Sequence, residues 1–325
     1  MYNLVKFLEN INSRFSPFPG SFNFEEPMSA HTSFKTGGPA ELWIKPEGDN
    51  FTEFAAFLLE TAEKEGIPVF ILGGGANIVV SDEGIRGIVL DITGYTGSRE
   101  DKAFLHRHPW RLKQGASEII TFRSGTLVDD AVEIAAESGL SGMEFLAGMP
   151  GTIGGALWMN ARCYDKEVAD IIREVEFIEK GRKISIIPEK KDFSYKKSPF
   201  QEKSCLILSV SFTLWDKDPD LIRPEMDKYR KDREKKGHYR FPSAGSVFKN
   251  NKAFGKPTGQ LIDELGLKGL SAGDAQIAPW HGNIIINRGK ARSEEILSLV
   301  ELAETRVKAE MGFDLEREII FIGKY

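Results

Sequence analysis

One stretch of the chain, Pro242-Ser243-Ala244-Gly245-Ser246-Val247-Phe248-Lys249-Asn250, combines residue types that can do chemistry. A glycine ahead of a serine removes the side chain that would keep a ligand away from the backbone. Ser246 can then hold its hydroxyl at a defined point above a pocket floor. Val247 and Phe248 favour an extended strand after it. Lys249 and Asn250 add an ammonium and an amide, both suited to phosphate oxygens. An ordinary turn leading into a strand would use the same residues, so the stretch needs support from elsewhere in the chain.

Two glycine-rich loops supply that support. Val69 to Leu72 reads as a buried strand that runs into Gly73-Gly74-Gly75-Ala76-Asn77, after which Ile78 to Val80 resumes extended chain. A dinucleotide-binding loop would open a helix after its glycines, and a P-loop would end in Gly-Lys-Ser/Thr; neither pattern is present. Consecutive glycines can still turn several backbone N–H groups toward one anion. The second loop carries Gly148, Pro150, Gly151, Thr152, Gly154 and Gly155 ahead of Met159-Asn160-Ala161. Pro150 is placed to begin a short helix, whose free N–H groups would favour an anion. Either loop alone could be structural. Two of them, each suited to an anion and neither followed by a nucleotidase signature, favour a large cofactor with its diphosphate carried between them.

The elements that must position these loops are legible from periodicity and punctuation. Leu4, Phe7, Leu8 and Ile11 share one helix face over residues 2–12. Ser16 to Met28, with Pro17, Pro19 and Gly20, reads as a linker or arm. The polar stretch His31 to Ala40 leads through a glycine turn into a strand at Glu41 to Ile44. A helix from Phe51 to Lys64 follows, capped by Asp49 or Asn50 and ended by Gly66. Strands are expected at Ile85 to Ile92 and Ile119 to Phe122; Tyr95 to Gln114 between them is polar and uninformative. Thr126 and Asp129 form a capping box for a helix ended by Gly139. Three more strands, Val175–Ile178, Lys183–Ile187 and Leu206–Leu214, precede the charged run Asp216 to Gly237. That run reads as a solvated helix with ion pairs between turns and marks a boundary between lobes. Beyond it come a helix over Thr258–Leu265, a turn at Leu267-Lys268-Gly269 and a strand at Asn283–Asn287. A helix over Glu294–Met311 capped by Ser293 and a closing strand over Leu315–Gly323 complete the chain.

Composition narrows the function classes. The 325 residues suggest about two domains. A net charge of −5 lacks the basic excess that general nucleic-acid binding needs. Two cysteines, Cys163 and Cys205, make no disulfide framework, and the five histidines offer no ligand-spaced cluster, so no metal is expected. The N-terminus lacks the layout of a signal peptide, and no apolar run is long enough to span a bilayer. A cytoplasmic monomer without membrane or nucleic-acid partners is the expectation.

Seven segments, taken in order, resemble the UDP-N-acetylenolpyruvoylglucosamine reductase family: His31–Ala40, Gly73–Asn77, Gly148–Asn160, Tyr195–Ser198, Ser243–Asn250, Leu261–Gly269 and Leu315–Gly323. The compact chain is similar to the second type of the family. The resemblance implies an α+β fold: an FAD-binding region of the vanillyl-alcohol-oxidase (PCMH) type and a smaller α+β C-terminal lobe that binds substrate. The corresponding division is 1–27 for an N-terminal helix and arm, 28–215 for a two-part FAD-binding region and 216–325 for the substrate lobe. FAD would lie along Gly73, Gly74, Gly75, Ala76 and Asn77 and along Gly148, Pro150, Gly151, Thr152, Gly154 and Gly155. NADPH would reduce it. A UDP-sugar enolpyruvyl ether would then take a hydride, with Ser246 giving the proton and Glu318 and Lys196 completing the catalytic set. Tyr195, Lys249, Asn250, Lys268 and His281 would contact substrate.

One departure stands out. The family pattern has arginine after its tyrosine, whereas here the chain reads Tyr195-Lys196-Lys197-Ser198. Arginine grips a carboxylate with a planar fork and lysine offers a point charge. Lys196, Lys197 or Arg162, which replaces a small residue in Asn160-Ala161-Arg162-Cys163-Tyr164, are the candidates for that charge. Two other readings are a flavin-linked oxidase sharing only the cofactor fold, and a sugar-nucleotide binder that lost its chemistry at Lys196.

Overall fold

The computed structural model describes residues 2–96 and 117–325. His106 and His108, and most of the polar stretch from Tyr95 to Gln114, lie outside the described residues. In chain order the elements are α1 (Leu4–Arg14), β1 (Gly20–Pro27), β2 (Pro39–Pro46), α2 (Phe51–Lys64), β3 (Val69–Leu72), β4 (Ile78–Val80) and β5 (Ile85–Asp91). Then come β6 (Ser117–Arg123), α3 (Val128–Glu137), β7 (Leu140–Ser141), α4 (Ile153–Trp158), β8 (Arg162–Cys163) and β9 (Lys166–Glu167). They are followed by β10 (Ile172–Glu179), β11 (Arg182–Ile186), β12 (Cys205–Asp216) and α5 (Pro219–Lys235). The last are α6 (Thr258–Glu264), β13 (Ser271–Ala272), β14 (Ala275–Ile277), β15 (Ile285–Asn287), α7 (Ser293–Met311) and β16 (Ile320–Ile322).

The chain forms two compact units. The first comprises Met1–Asn23, Leu42–Gly74 and Gly87–Lys231; the second comprises Phe24–Glu41, Gly75–Arg86 and Asp232–Tyr325. In sequence, one of the five crossings between the units falls inside the first glycine loop, between Gly74 and Gly75. Helix and strand are mixed in both, as the α+β class requires.

The first unit has two cores. One lies around α1 and α2, where Phe7, Ile11, Phe51, Phe54 and Leu58 are fully buried. Burying side chains of this size stabilises by about 1.5–3 kcal/mol each. Phe15 and Phe18 extend this core onto Phe54 in edge-on ring contacts, so the N-terminal helix is part of the packing of this unit. The other core lies under the antiparallel sheet β11-β10-β12-β6, with β7 on β12. The long central strand β12 is buried over nearly its whole length; Cys205–Leu208 is continuously apolar, and beyond it the buried Ser209 and Ser211 are hydrogen-bonded to Glu176 and Thr121. A further sheet has the order β1-β2-β5-β3, with β3 and β5 parallel. The second unit is built on α7, α6 and the small sheet β13-β14-β15, with Phe34, Phe248, Leu261, Ile296 and Val300 at its centre. There β16 pairs in parallel with β4.

Five local expectations need correction. Ser16–Met28 is not merely a linker: Gly20–Pro27 forms strand β1, an exposed edge strand that periodicity does not mark. Thr126 does not cap α3. The N-cap position is Leu127, the Thr126 hydroxyl is buried without a partner, and the Asp129 carboxylate accepts from the Gly148 N–H at 2.7 Å. Pro150 does not open a helix; α4 begins at Ile153, where the Thr152 hydroxyl accepts from Gly155 N–H at 3.3 Å. Val247 and Phe248 do not sit in a strand but in a segment held by isolated bridges on either side, Ser246 to Ile284 and Phe248 to Arg317. Ser293 is not the cap of α7. Asp82, distant in sequence, accepts from Ser293 N–H at 3.0 Å, and Ser293 Oγ accepts from Asp82 N–H at 2.9 Å. The carboxylate does what a local cap would do, satisfying free N–H groups at the positive end of the helix.

Candidate active site

In the first unit, the Gly73–Gly74 end of one loop packs directly on the second loop. A Cβ on Gly74 would lie 2.7 Å from the Gly151 Cα, and one on Gly73 would lie 2.6 Å from the Thr152 hydroxyl. A Cβ on Gly154 would lie 2.8 Å from the Ser124 Cβ. These glycines let backbone approach backbone. Gly151 also takes φ of +106° and Gly148 φ of +71°, which only glycine adopts easily. Beside Gly154, the hydroxyls of Ser124 and Thr126 are buried and have no hydrogen-bond partner. A buried hydroxyl without a partner is costly. Its presence twice beside a glycine loop fits a polar cofactor. Asp129 steadies the loop through Gly148 and is itself held by Arg230 at 2.7 Å.

The Lys196 segment also belongs to the first unit. Ser194 and Lys197 exchange both backbone hydrogen bonds, at 3.1 and 3.0 Å, so Tyr195 and Lys196 occupy a tight two-residue turn. Lys196 has φ of +60°, an uncommon conformation for a residue with a side chain. Three side chains fasten this turn. Asn160 Nδ2 donates to Ser194 O at 3.0 Å, Gln201 Nε2 donates to Lys196 O at 3.1 Å, and Ser198 Oγ donates to Trp158 O at 2.7 Å. Asn160 is completely buried and accepts from Ala169 N–H at 3.1 Å. The sequence reading missed Asn160 and Gln201 as supports. The signal was faint: an asparagine closing the glycine loop and a glutamine shortly after the Tyr-Lys-Lys-Ser motif.

In the second unit, Ser246 follows Gly245, whose φ is +73°. Its bridge to Ile284 and the 2.7 Å bond from Glu318 N–H to Val247 O place Ser246 and Glu318 on adjoining segments. Asn77 Nδ2 donates to the Glu318 carbonyl at 3.0 Å, so the Gly75–Asn77 end of the first loop is tied to the same place. Gly75 has φ of +59°, and a Cβ there would lie 2.1 Å from His31 O.

The remaining candidates of this unit are engaged by neighbours. Lys249 pairs with Glu316 at 2.6 Å, and Asn250 Oδ1 accepts from Thr258 N–H at 2.9 Å at the start of α6. Lys268 pairs with Asp263 at 2.8 Å. His281 Nδ1 accepts from Asn283 N–H at 3.2 Å, which leaves Nε2 to carry the proton of the neutral ring and to donate it to a ligand. Burial pushes the His281 pKa down, and that of His238, whose ring centroid is 6.3 Å away, down to about 4.

Comparison with known proteins decides the family. Residues 237–322 match the model of the UDP-N-acetylenolpyruvoylglucosamine reductase C-terminal domain, and residues 52–184 match an FAD binding domain. The reductase of Borreliella burgdorferi is 39% identical over 99% of this chain and 98% of its own length. That of Treponema denticola is 38% identical over 94% and 95%. The chain belongs to the UDP-N-acetylenolpyruvoylglucosamine reductase family. The crystal structure of the family member from Thermus caldophilus superimposes with a TM-score of 0.73 at 31% identity, covering 94% of this chain and 99% of that one.

Membership makes the chain an FAD-dependent oxidoreductase of the reductase family. The residues described above fit FAD: paired glycine loops in close contact and two partnerless buried hydroxyls beside them. Gly73, Gly74, Gly151 and Gly154, with Ser124 and Thr126, are the first-unit residues that would hold it. Among the described residues no helix is long and apolar enough to cross a membrane.

Proposed function

We propose that this chain reduces UDP-N-acetylenolpyruvoylglucosamine to UDP-N-acetylmuramate with NADPH, a step of peptidoglycan precursor synthesis, and that Ser246 delivers the proton. Bound FAD supplies the chemistry of taking a hydride from the nicotinamide and passing it to the enolpyruvyl double bond. The chain's own groups handle charge and proton. Hydride addition leaves negative charge spread into the adjacent carboxylate, and groups aimed at that charge lower the barrier more than groups that only bind substrate. Lys196 is assigned to the developing charge, with Glu318 as the acid of the closing motif. A serine hydroxyl is a weak acid in water, but it suffices toward an enol-type carbanion when it is held in place. Tyr195, Lys249, Asn250, Lys268 and the Nε2–H of His281 are assigned to substrate. The ion pairs of Lys249 and Lys268 give way to, or orient toward, its diphosphate. Gly73–Asn77 and Gly148–Gly155 are assigned to the cofactor.

The observation that carries this reading is the coupling of Ser246, Glu318 and Asn77 by backbone and side-chain bonds within one unit. The test is NADPH oxidation by the purified yellow protein with and without the enolpyruvyl sugar nucleotide. Substrate-dependent oxidation that falls by several orders of magnitude in Ser246→Ala, with flavin reduction by NADPH retained, supports it. Near-wild-type steady-state turnover in Ser246→Ala removes the serine from the reaction. NADPH oxidation without the sugar nucleotide at the full rate would favour an oxidase. Substrate binding without any NADPH oxidation would favour a binder that has lost its chemistry.

A further inference from the structure

Four of the five non-glycine residues with positive φ among the described residues of the first unit lie on or beside one small hairpin, Lys180 being the fifth. Asn160, Tyr164, Asp165 and Lys196 all have positive φ, at +42°, +52°, +59° and +60°. Non-glycine residues in this region persist only where their surroundings hold them, and such outliers cluster at functional sites. Arg162 pairs with Glu167 and Cys163 with Lys166, leaving Tyr164 and Asp165 as a two-residue hairpin turn. Both turn residues take the conformation that Asn-Gly ordinarily supplies.

The hairpin is pinned from outside. The Tyr164 ring lies 4.3 Å from that of Tyr229, its hydroxyl donates to Tyr229 O at 3.3 Å, and Cys163 Sγ donates to Phe145 O at 2.9 Å. The consequence is the placement of Arg162. Its guanidinium carbon lies 5.4 Å from the Tyr195 ring centroid, and its carbonyl accepts from Lys196 Nζ at 3.5 Å. The carboxylates nearest the guanidinium are loosely placed, Asp165 at 3.6 Å with a fully exposed side chain and Glu167 at 3.9 Å. An ion pair of this length to an exposed carboxylate such as Asp165 contributes little, so an incoming anion can displace it, while the more buried Glu167 stays beside Arg162 on the hairpin.

We propose that Arg162 is a substrate-contacting cation that acts with Lys196, its planar fork gripping an anionic group of the substrate at Tyr195. The anion is the carboxylate or the diphosphate of the sugar nucleotide. Lys196 brings charge to the site, and Arg162 brings the paired donors that lysine lacks. The proposal rests on the functional reading above.

The experiment compares steady-state KM and kcat for UDP-N-acetylenolpyruvoylglucosamine in wild type, Arg162→Gln, Arg162→Lys and Lys166→Ala, the last an exposed change on the same hairpin. FAD content is measured alongside. Losing a charged hydrogen-bond pair raises KM by about 10- to 100-fold in Arg162→Gln, with partial recovery in Arg162→Lys and wild-type values in Lys166→Ala. Binding of UDP-N-acetylglucosamine, which keeps the diphosphate and lacks the carboxylate, tells the two anions apart: unchanged Kd in Arg162→Gln assigns the carboxylate, weakened Kd the diphosphate. Wild-type KM in Arg162→Gln overturns the proposal. If Arg162→Gln fails to retain FAD, Arg162→Lys decides, and wild-type KM there overturns the claim for the planar fork. If wild type itself does not turn over the enolpyruvyl nucleotide, the functional reading falls and this proposal with it.

Discussion

Replacing Asn160 by alanine tests whether the Lys196 turn is held from below. Asn160 is completely buried, has φ of +42°, and makes two side-chain bonds, accepting from Ala169 N–H at 3.1 Å and donating to Ser194 O at 3.0 Å. Alanine removes both. The Ala169 N–H, itself on a buried residue, is left without that partner, which costs about 1–3 kcal/mol. Alanine also tolerates the left-handed region less well than asparagine. The sum is about 2–4 kcal/mol. With an m-value of about 2 kcal/mol per molar urea, the unfolding midpoint of the first unit falls by roughly 1–2 M. Catalysis suffers separately, because Ser194 opens the turn that carries Tyr195 and Lys196. A displacement of about 1 Å at a positioned group costs on the order of 100-fold in rate. The assay is urea unfolding followed by fluorescence, together with kcat/KM at a temperature where the variant is folded. An unchanged midpoint refutes the burial argument. A lowered midpoint with unchanged kcat/KM refutes the claim that this bond positions Lys196.

Other changes have equally definite outcomes. Gly74→Ala puts a methyl group 2.7 Å from the Gly151 Cα, a backbone atom that cannot swing aside; the purified variant loses its visible flavin absorbance, and full FAD content would show that the two loops need not touch. Gln201→Ala removes the bonds to Lys196 O and Trp158 O and lowers kcat more than it raises KM; an unchanged kcat would dismiss Gln201 as a support. Burial holds the His238 pKa at about 4 against an ordinary 6.5, so the unfolded chain takes up the proton first. Stability is therefore complete above about pH 6.5 and declines as pH falls from 6.5 toward 4. His238→Asn flattens that part of the stability profile, and an unaltered profile would rule His238 out as its source.

Most secondary structure was readable because it follows local rules. Helix α2 has the bounds its periodicity and Gly66 indicate, and strands β3, β4 and β12 lie where composition places them, although β3 is only partly buried outside Leu72. The two capping errors share one cause. Thr126 and Ser293 carry the right residue types for caps, yet Asp129 turns to Gly148 and Asp82 comes from a distant part of the chain to serve α7. A cap needs only an acceptor near the N–H groups, and sequence cannot say which of several carboxylates arrives there. Strand β1 escaped notice because an exposed edge strand needs no apolar alternation.

From the order of its residues alone, the chain declared its family, its cofactor class and the motifs around Ser246, Lys196 and Glu318, because those depend on residue type and spacing along the backbone. Tertiary structure alone decided who supports them. Asn160 reaches Ser194, Asn77 reaches Glu318, and Arg162 comes to rest against Tyr195. Each of these joins segments that no short-range pattern connects, since a hydrogen bond or ring contact is set by distance in space and leaves no period in the sequence.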